Sequence, residues 1–487
     1  MTMLRCFKGS TSTPASLGVT VRIGVFFDGT GNNRINSQIG ADCQAMAGVY
    51  HNAHIKECGG RHSDPASSYS NDFTNIARLA DLYRQQFVAT NDGNGLRVTQ
   101  PIYISGVGTT SGGRDSIPGQ GFGRGHTGVV AKVCKCVEKL KSVLHTFGRH
   151  NPGCVIAALE LDVFGFSRGA ASARHFANEV LKQERGALGP VLDGQKLPLA
   201  ADFNWRNGSV RLKVIGLFDT VAAVGGISDL GSVGDDVNRR VNLFLPPGCA
   251  QQVIHLVAAD EHRRNFSLNS VAPGWLREIV LPGSHSDIGG GYHPYMVEKV
   301  ALTRPRRSLV GIQTPYDATP AWQQTHQEMD TLDVQRWIDP RDDTARITVD
   351  CVERGRKKGQ GLKSVIASVM LERGVFGHLS RVYLRVMHGL ACDEGVPFMP
   401  VPDLPDLVLP PELRGVAGKL LARARGEEQP LTAAEMQMLY RRYIHCSAHW
   451  NSTLTSSNSL IDGLFVHAPA KEGRSRFPNL GQPGYPY

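Results

Sequence analysis

The sequence predicts the α/β class: a mostly parallel sheet with helices on both faces, plus a mainly helical inserted or appended module. Three observations predict it. Short β-branched apolar runs alternate with segments of helical apolar spacing, as parallel strands buried on both faces require. Several runs end in Gly- and Asp-bearing turns, where open α/β sheets place functional loops. After about residue 300 the composition shifts to Pro-, Arg- and Asp-rich stretches, then to long apolar periodicity.

Residues 21–27 (Val-Arg-Ile-Gly-Val-Phe-Phe) read as a buried strand that ends in the turn Asp28-Gly29-Thr30-Gly31-Asn32-Asn33. A Gly-, Ser- and Asn-rich excursion, 34–72, reads as loop. Helical spacing over 75–87 runs through Ile76, Leu79, Leu82 and Tyr83, and 101–106 reads as a second strand. The glycines of 107–125 predict a loop, and helical spacing resumes over 129–144. Strand, sharp turn and helix follow at 155–184, then a strand at 211–218, an apolar run at 252–258 and a strand at 276–281.

Beyond 300, the segment 362–391 places Val365, Ile366, Val369, Met370, Leu379, Val382 and Val386 at helical spacing, with Arg373, Arg381, Arg385 and His388 among them. Such a helix either lies on anionic lipid or packs on the core. A Pro-rich linker (397–411) precedes helical segments at 414–425 and 431–446, and one strand is expected near 464–466. The expected organisation is a catalytic domain over 20–299, the helical, membrane-associating module over 300–435, and a C-terminal segment, 436–487, that returns to the catalytic domain.

The chain has 487 residues and a net charge of +9, without a polybasic tail. That balance favours anionic surfaces or simply serves solubility. Nucleic acid is not expected as a partner, because neither a recognised motif nor an aromatic–basic stripe is present. Residues 1–20 have no apolar core of a signal peptide, and no run of about 20 apolar residues exists to span a membrane. The ten cysteines are scattered without paired CxxC spacing, which argues against structural zinc and predicts free thiols.

Residues 163–172, Val-Phe-Gly-Phe-Ser-Arg-Gly-Ala-Ala-Ser, carry the chemistry. They have the form of a nucleophile elbow, in which a serine sits on a strained strand-to-helix turn and the residues two before and two after must be tiny. Gly165 and Gly169 meet that need around Ser167. By letters alone roughly 0.4 chance matches to GxSxG are expected in a chain of this composition. The context adds weight, since Ala170, Ala171 and Ala173 permit close helix–strand packing. A serine needs a base, and the base needs an acid that holds its tautomer. Asp219, just beyond the run 214–218, fits the acid, although an aspartate after a strand is more often a helix cap. His285, in the loop Pro-Gly-Ser-His-Ser-Asp-Ile-Gly-Gly-Gly, fits the base; His445 and His449 are its rivals. Oxyanion donors are expected from the backbone N–H of Arg168 and that of Gly29 or Thr30. A metal site built from Asp28, His285, Asp287 and His293 is the less favoured use of the same residues, because no spacing here is diagnostic of one. The run Gly119-Gln-Gly121-Phe-Gly123-Arg-Gly125 lacks the GK[ST] ending of a phosphate-binding loop.

Phe27-Asp28-Gly29-Thr30-Gly31-Asn32, Gly106-Val107-Gly108-Thr109, Gly165-Phe166-Ser167-Arg168-Gly169-Ala170, Phe218-Asp219-Thr220-Val221 and Gly283-Ser284-His285-Ser286-Asp287-Ile288-Gly289-Gly290 occur in that order. As a set they resemble the α/β-hydrolase domain of type VI secretion lipase effector family 1, antibacterial phospholipases passed from one bacterium to another. The resemblance covers roughly 20–295, with a weaker echo at 438–479. It implies phospholipase A activity with Ser167 as nucleophile, Asp219 as orienting acid and His285 as base. It also implies a membrane surface as substrate, a cognate immunity protein, and a spike or adaptor protein for delivery from a cytoplasm where the chain is made without a signal peptide. No cofactor is implied, and a Ca²⁺ requirement stays open, as does the choice between the sn-1 and sn-2 ester. The alternative is a soluble serine carboxylesterase or acyl-transferase acting on small acyl esters.

Overall fold

The computed structural model describes residues 16–47, 67–113, 115, 127–193, 196–222, 241–339, 341–357, 361–451 and 467–481. The chain runs β1 (Leu17–Phe27), α1 (Arg34–Ala47), α2 (Asn75–Leu82), β2 (Gln86–Asn91), β3 (Leu96–Ile104), α3 (Val129–His150), β4 (Cys154–Phe166), α4 (Arg168–Leu181), α5 (Gly189–Asp193), β5 (Val210–Phe218), β6 (Gln252–Ala258), β7 (Leu268–Asn269), β8 (Glu278–Leu281) and α6 (His285–Gly289). It continues through β9 (Met296–Ala301), β10 (Arg306–Gly311), α7 (Pro320–Met329), α8 (Val334–Trp337), β11 (Arg346–Lys357), β12 (Leu362–Val375), α9 (Leu379–Asp393), α10 (Pro411–Ala424), α11 (Ala433–Arg442) and β13 (Arg476–Phe477).

Seven strands form the main sheet in the order β2-β3-β1-β4-β5-β6-β8. All pairs are parallel except the edge pair β2–β3. Alternation along β1 explains its burial. Val19, Val21, Ile23, Val25 and Phe27 enter the core under α3 and α4, whereas Phe26 enters the core on the opposite face. On that opposite face Arg22 pairs with Asp162 at 2.7 and 2.9 Å, and Tyr83 donates its hydroxyl to the same carboxylate. The chain leaves β1 toward β3 and returns on the other side as β4. The crevice between the carboxyl ends of β1 and β4 is therefore the topological switch point, where such sheets bind ligands.

The segment after 300 corrects two expectations. It is not mainly helical: β10, β12 and β11 form an antiparallel sheet, and β9 pairs with the second half of β12. Residues 362–375 are its central strand, buried along nearly all of its length. A strand covered on both faces reads as a continuous apolar run that also satisfies helical spacing. The helix begins only at Leu379, and it does not present an arginine face to lipid. Leu379, Val382, Tyr383, Leu384, Val386, Met387 and Leu390 of α9 are fully buried against Phe164, Val214, Ile254 and Leu256 of the main sheet. Fully burying a side chain of this size stabilises the fold by about 1.5–3 kcal/mol. The cations are spent inside the protein as well. Arg373 binds Glu298 and three carbonyls, Arg381 binds the carbonyls of Pro405 and Val408, and His388 meets that of Met399. The expected boundary at 299/300 falls inside β9, and α9 belongs to the cover of the main sheet.

Two smaller expectations change. The excursion 34–72 contains α1, and Cys43 on that helix is disulfide-bonded rather than a free thiol. The loop 116–126 and the strand expected near 464–466 lie outside the described residues. Among the described residues no helix is long and apolar enough to cross a membrane.

Candidate active site

Ser167 stands between β4 and α4 with φ 57° and ψ −124°, a conformation that costs a non-glycine residue on the order of 1–3 kcal/mol. The strain is held by packing and by backbone bonds. A Cβ on Gly165 would lie 2.5 Å from the Gly169 carbonyl oxygen, and one on Gly169 would lie 2.2 Å from that of Phe27. Only hydrogen fits at either position. The Ser167 N–H donates to the Phe218 carbonyl at 3.0 Å, which fastens the turn to the end of β5. The serine hydroxyl makes no capping bond to α4.

Asp219, the next residue, also has positive φ (43°). Its N–H donates to the Leu256 carbonyl at 2.7 Å, and the following Thr220 N–H donates to His255 Nε2 at 3.1 Å. Both bonds come from β6, which lies between β5 and β8. They turn the Asp219 carboxylate toward the loop after β8, where His285 Nδ1 meets Asp219 Oδ2 at 2.5 Å. Ser167, Asp219 and His285 thus gather at the carboxyl ends of β4, β5 and β8. Phe166 spans the group, its ring centroid 4.6 Å from the His285 ring. Gly289 has no room for a side chain because the Phe166 ring fills that space, at 2.1 Å from a Cβ there.

Sequence reasoning missed the partner that completes Asp219. Arg474 donates from both terminal nitrogens, at 2.7 Å to Oδ1 and 2.8 Å to Oδ2. The Ala258 N–H adds a bond to Oδ1 at 3.0 Å. Burial pushes the Asp219 pKa up, but the charge of Arg474 and the bond to His285 outweigh it and hold the carboxyl well below the usual carboxylate range. Burial also lowers His285 from its ordinary imidazole value, against the pull of Asp219. The result is an ionised acid beside a neutral imidazole. Glu261 was missed too: it accepts the His285 N–H at 3.3 Å and is clamped by Arg263, whose guanidinium lies 3.3 Å over Phe266. Phe266 in turn packs edge-on against His285. A buried Asp or Glu two residues from an Arg, just beyond a strand, was the only local signal.

The Gly29 N–H, one of the two candidates for the second oxyanion donor, donates to its neighbour Asp28 Oδ1 at 2.7 Å and is engaged within the turn after β1. Asp28 also accepts from Thr74 at 2.6 Å and Tyr103 at 2.5 Å, which makes it the organiser of the turn. Thr30 and Arg168 keep backbone N–H groups with no acceptor among the described residues. The turn lies against the elbow, for a Cβ on Gly169 would be 2.3 Å from the Asp28 carbonyl oxygen.

The rival histidines sit elsewhere. His445 Nδ1 bonds Asp287 Oδ1 at 2.7 Å beneath a stacked Tyr292 ring, and His449 stacks on His467. Asp287 thus belongs to His445, and Asp28 to its turn, so the four residues considered for a metal do not form one ligand set.

A family profile described as the catalytic domain of Tle1-like phospholipase effectors of the type VI secretion system matches residues 194–305, which hold Asp219 and His285. The solved structure of a Tle1 effector bound to the VgrG spike of the type VI secretion system superimposes with a TM-score of 0.71 at 31% identity, over 95% of this chain and 94% of that one. An uncharacterized protein from Pseudomonas aeruginosa gives a TM-score of 0.34 at 18% identity over 86% of this chain and 52% of that one, too little to bear on function. No curated protein matches at a significant level. Nearly full-length likeness at this identity, on a mostly parallel sheet with an elbow at its switch point, places the chain in the Tle1-like family of type VI secretion phospholipase effectors.

Proposed function

We propose that the chain is a phospholipase A that hydrolyses acyl esters of membrane glycerophospholipids through Ser167, His285 and Asp219. The carrying observation is the 2.5 Å bond between His285 and Asp219 at the strand ends that also hold the strained Ser167. His285 Nε2 takes the Ser167 proton as the hydroxyl attacks the acyl carbonyl. The N–H groups of Arg168 and Thr30, at the positive end of α4, hold the oxyanion. The imidazolium then protonates the departing lysolipid alkoxide, and the acyl-enzyme is opened by a water that His285 deprotonates. Asp219, kept ionised by Arg474, fixes the His285 tautomer and stabilises the imidazolium.

As an effector of this family the protein is delivered to a target cell, where its substrate is the membrane. A VgrG-type spike is its proposed carrier, as in the solved Tle1 complex, and a cognate immunity protein its proposed antagonist. The test is release of fatty acid from phosphatidylethanolamine–phosphatidylglycerol vesicles carrying distinct sn-1 and sn-2 labels, with EDTA and with Ca²⁺. Release that rises sharply when substrate aggregates, with a phosphonate ester probe attached to Ser167, is expected. Cleavage of soluble short-chain esters alone would move the protein to the carboxylesterase reading.

A pH prediction follows from the same geometry. Because His285 must be neutral to act and its pKa lies below the ordinary value, the acid limb of kcat falls below about pH 6.5. Arg474→Gln leaves the Asp219 charge less neutralised, which favours the imidazolium. The acid limb then moves to higher pH, and kcat drops about tenfold as His285 loses its fixed orientation. A pH–rate profile of the two proteins checks both effects, and an unmoved limb would contradict the role given to Arg474.

A further inference from the structure

The large buried arginines of this protein have partners. Arg22 pairs with Asp162, Arg373 with Glu298 and three carbonyls, and Arg474 with Asp219, while Arg174 donates to four acceptors. Arg168 is different. It is the first residue of α4, one position beyond Ser167. Among the described residues its guanidinium makes no ion pair, and its Nη1 is buried without a hydrogen-bond partner. Burial lowers its pKa to about 10, so it stays charged at neutral pH. Arg168 is half-buried, and one of its terminal nitrogens is shut off from water without an acceptor, a state that a ligand's counter-charge would complete.

A second orphan stands on the adjoining turn. Thr30 Oγ1, on the turn after β1, is likewise buried with no partner. The two loops touch: a Cβ on Gly29 would be 2.4 Å from the Phe166 ring, and one on Gly169 would be 2.3 Å from the Asp28 carbonyl oxygen. Two unsatisfied donors, one of them cationic, therefore flank the nucleophile on adjoining loops. Arg168 directly follows Ser167 in the chain, so an anion on its guanidinium can belong to the molecule whose ester is under attack. In a glycerophospholipid the phosphodiester is only a few bonds from either ester, and guanidinium matches phosphate oxygens in a bidentate fork.

We infer that Arg168 and Thr30 form the phosphate-binding part of the substrate site, with the guanidinium holding the lipid phosphodiester and the Thr30 hydroxyl donating a further bond to it. This rests on the phospholipase reading and sharpens it, because it makes the phosphate, rather than the acyl chains alone, what the site selects.

The test compares phosphatidylglycerol with the matching diacylglycerol in the same mixed micelles. Both release the same fatty acid, so product binding does not move the ratio of their kcat/KM values. Arg168→Gln is expected to lower that ratio by about 30-fold, Arg168→Lys by about fivefold, and Thr30→Val by about fivefold. Arg168→Gln is also expected to leave the melting temperature within a few degrees of wild type, since among the described residues the guanidinium holds no acceptor in place; a guanidinium with a purely structural role would lower it. A ratio that stays constant in all three variants overturns the inference. Binding of a non-hydrolysable diether phosphatidylglycerol and of the diether glycerol to the Ser167→Ala protein separates this from the chemistry. Preference for the phosphate-bearing lipid, lost on adding Arg168→Gln, supports the subsite even if wild type cleaves neither ester, an outcome that would sink the phospholipase reading alone. Inorganic phosphate that displaces the lipid at equal concentration would show a free-phosphate site and overturn the lipid assignment.

Discussion

Ser167→Ala is expected to lower fatty-acid release from phospholipid vesicles by at least about 10⁴-fold, and His285→Gln by a similar factor. The double variant should lose little more, because the two groups act as one unit. The informative comparison is His445→Gln. Among the described residues two buried Asp–His pairs meet on α6, where His285 bonds Asp219 and, two residues on, Asp287 bonds His445. Asp287 has further duties: it accepts the Ser284 N–H at 2.9 Å and the His445 N–H at 3.0 Å, tying α6 to the segment after α11. His445 is therefore assigned to holding the loop. His445→Gln is expected to keep turnover within about tenfold of wild type and to cost about 2 kcal/mol of stability through the lost buried bond. Initial rates on labelled vesicles, with denaturant melts of each variant, check this. A loss at His445 as deep as that at His285 would sink the assignment of the base.

Gly169→Ala should cripple both folding and turnover. The added methyl meets two backbone oxygens, those of Phe27 at 2.2 Å and Asp28 at 2.3 Å. Neither can yield as a flexible side chain would, because β1 and β4 are locked in register through eleven paired positions. Either α4 tilts away or the turn 28–33 lifts, and both movements separate the proposed oxyanion donors from Ser167. A stability loss of about 3 kcal/mol and an activity loss of at least about 100-fold are expected. Gly418→Ala provides the control. That glycine lies on the exposed side of α10 with nothing within 4 Å of its Cβ position, so alanine should stabilise the helix by about 0.5–1 kcal/mol. Urea melts of the two variants should shift in opposite directions, and a Gly169→Ala protein as stable and active as wild type would contradict the packing described here.

Much of the site was legible because its demands are local. The elbow needs two tiny residues at fixed offsets from a serine, between an apolar strand and a small-residue helix, and all of that lies within ten consecutive letters. Asp219 and His285 were found in the same way, each directly beyond a strand. What escaped was whatever depends on contact between distant segments. Arg474 is 255 residues from Asp219, and nothing around it distinguishes it from a surface arginine. The engagement of the Gly29 N–H by Asp28 was missed for a smaller reason, a choice between neighbouring turn donors that only backbone geometry makes. The misreading of 362–375 came from burial on both faces, which removes the alternation that would mark a strand.

The sequence by itself determined the parallel sheet, the strained serine at its switch point, and the order of the three residues around it. Backbone conformation and binary pattern specify these within a few neighbouring positions. Tertiary structure decided which histidine faces which carboxylate, that α9 covers the main sheet instead of lying on lipid, and that Arg168 finds no ion-pair partner among the described residues while Arg474 does. Those outcomes depend on where charges and apolar faces meet across hundreds of residues, and the free energy of a buried charge is set by its surroundings in space, which its neighbours in sequence do not reveal.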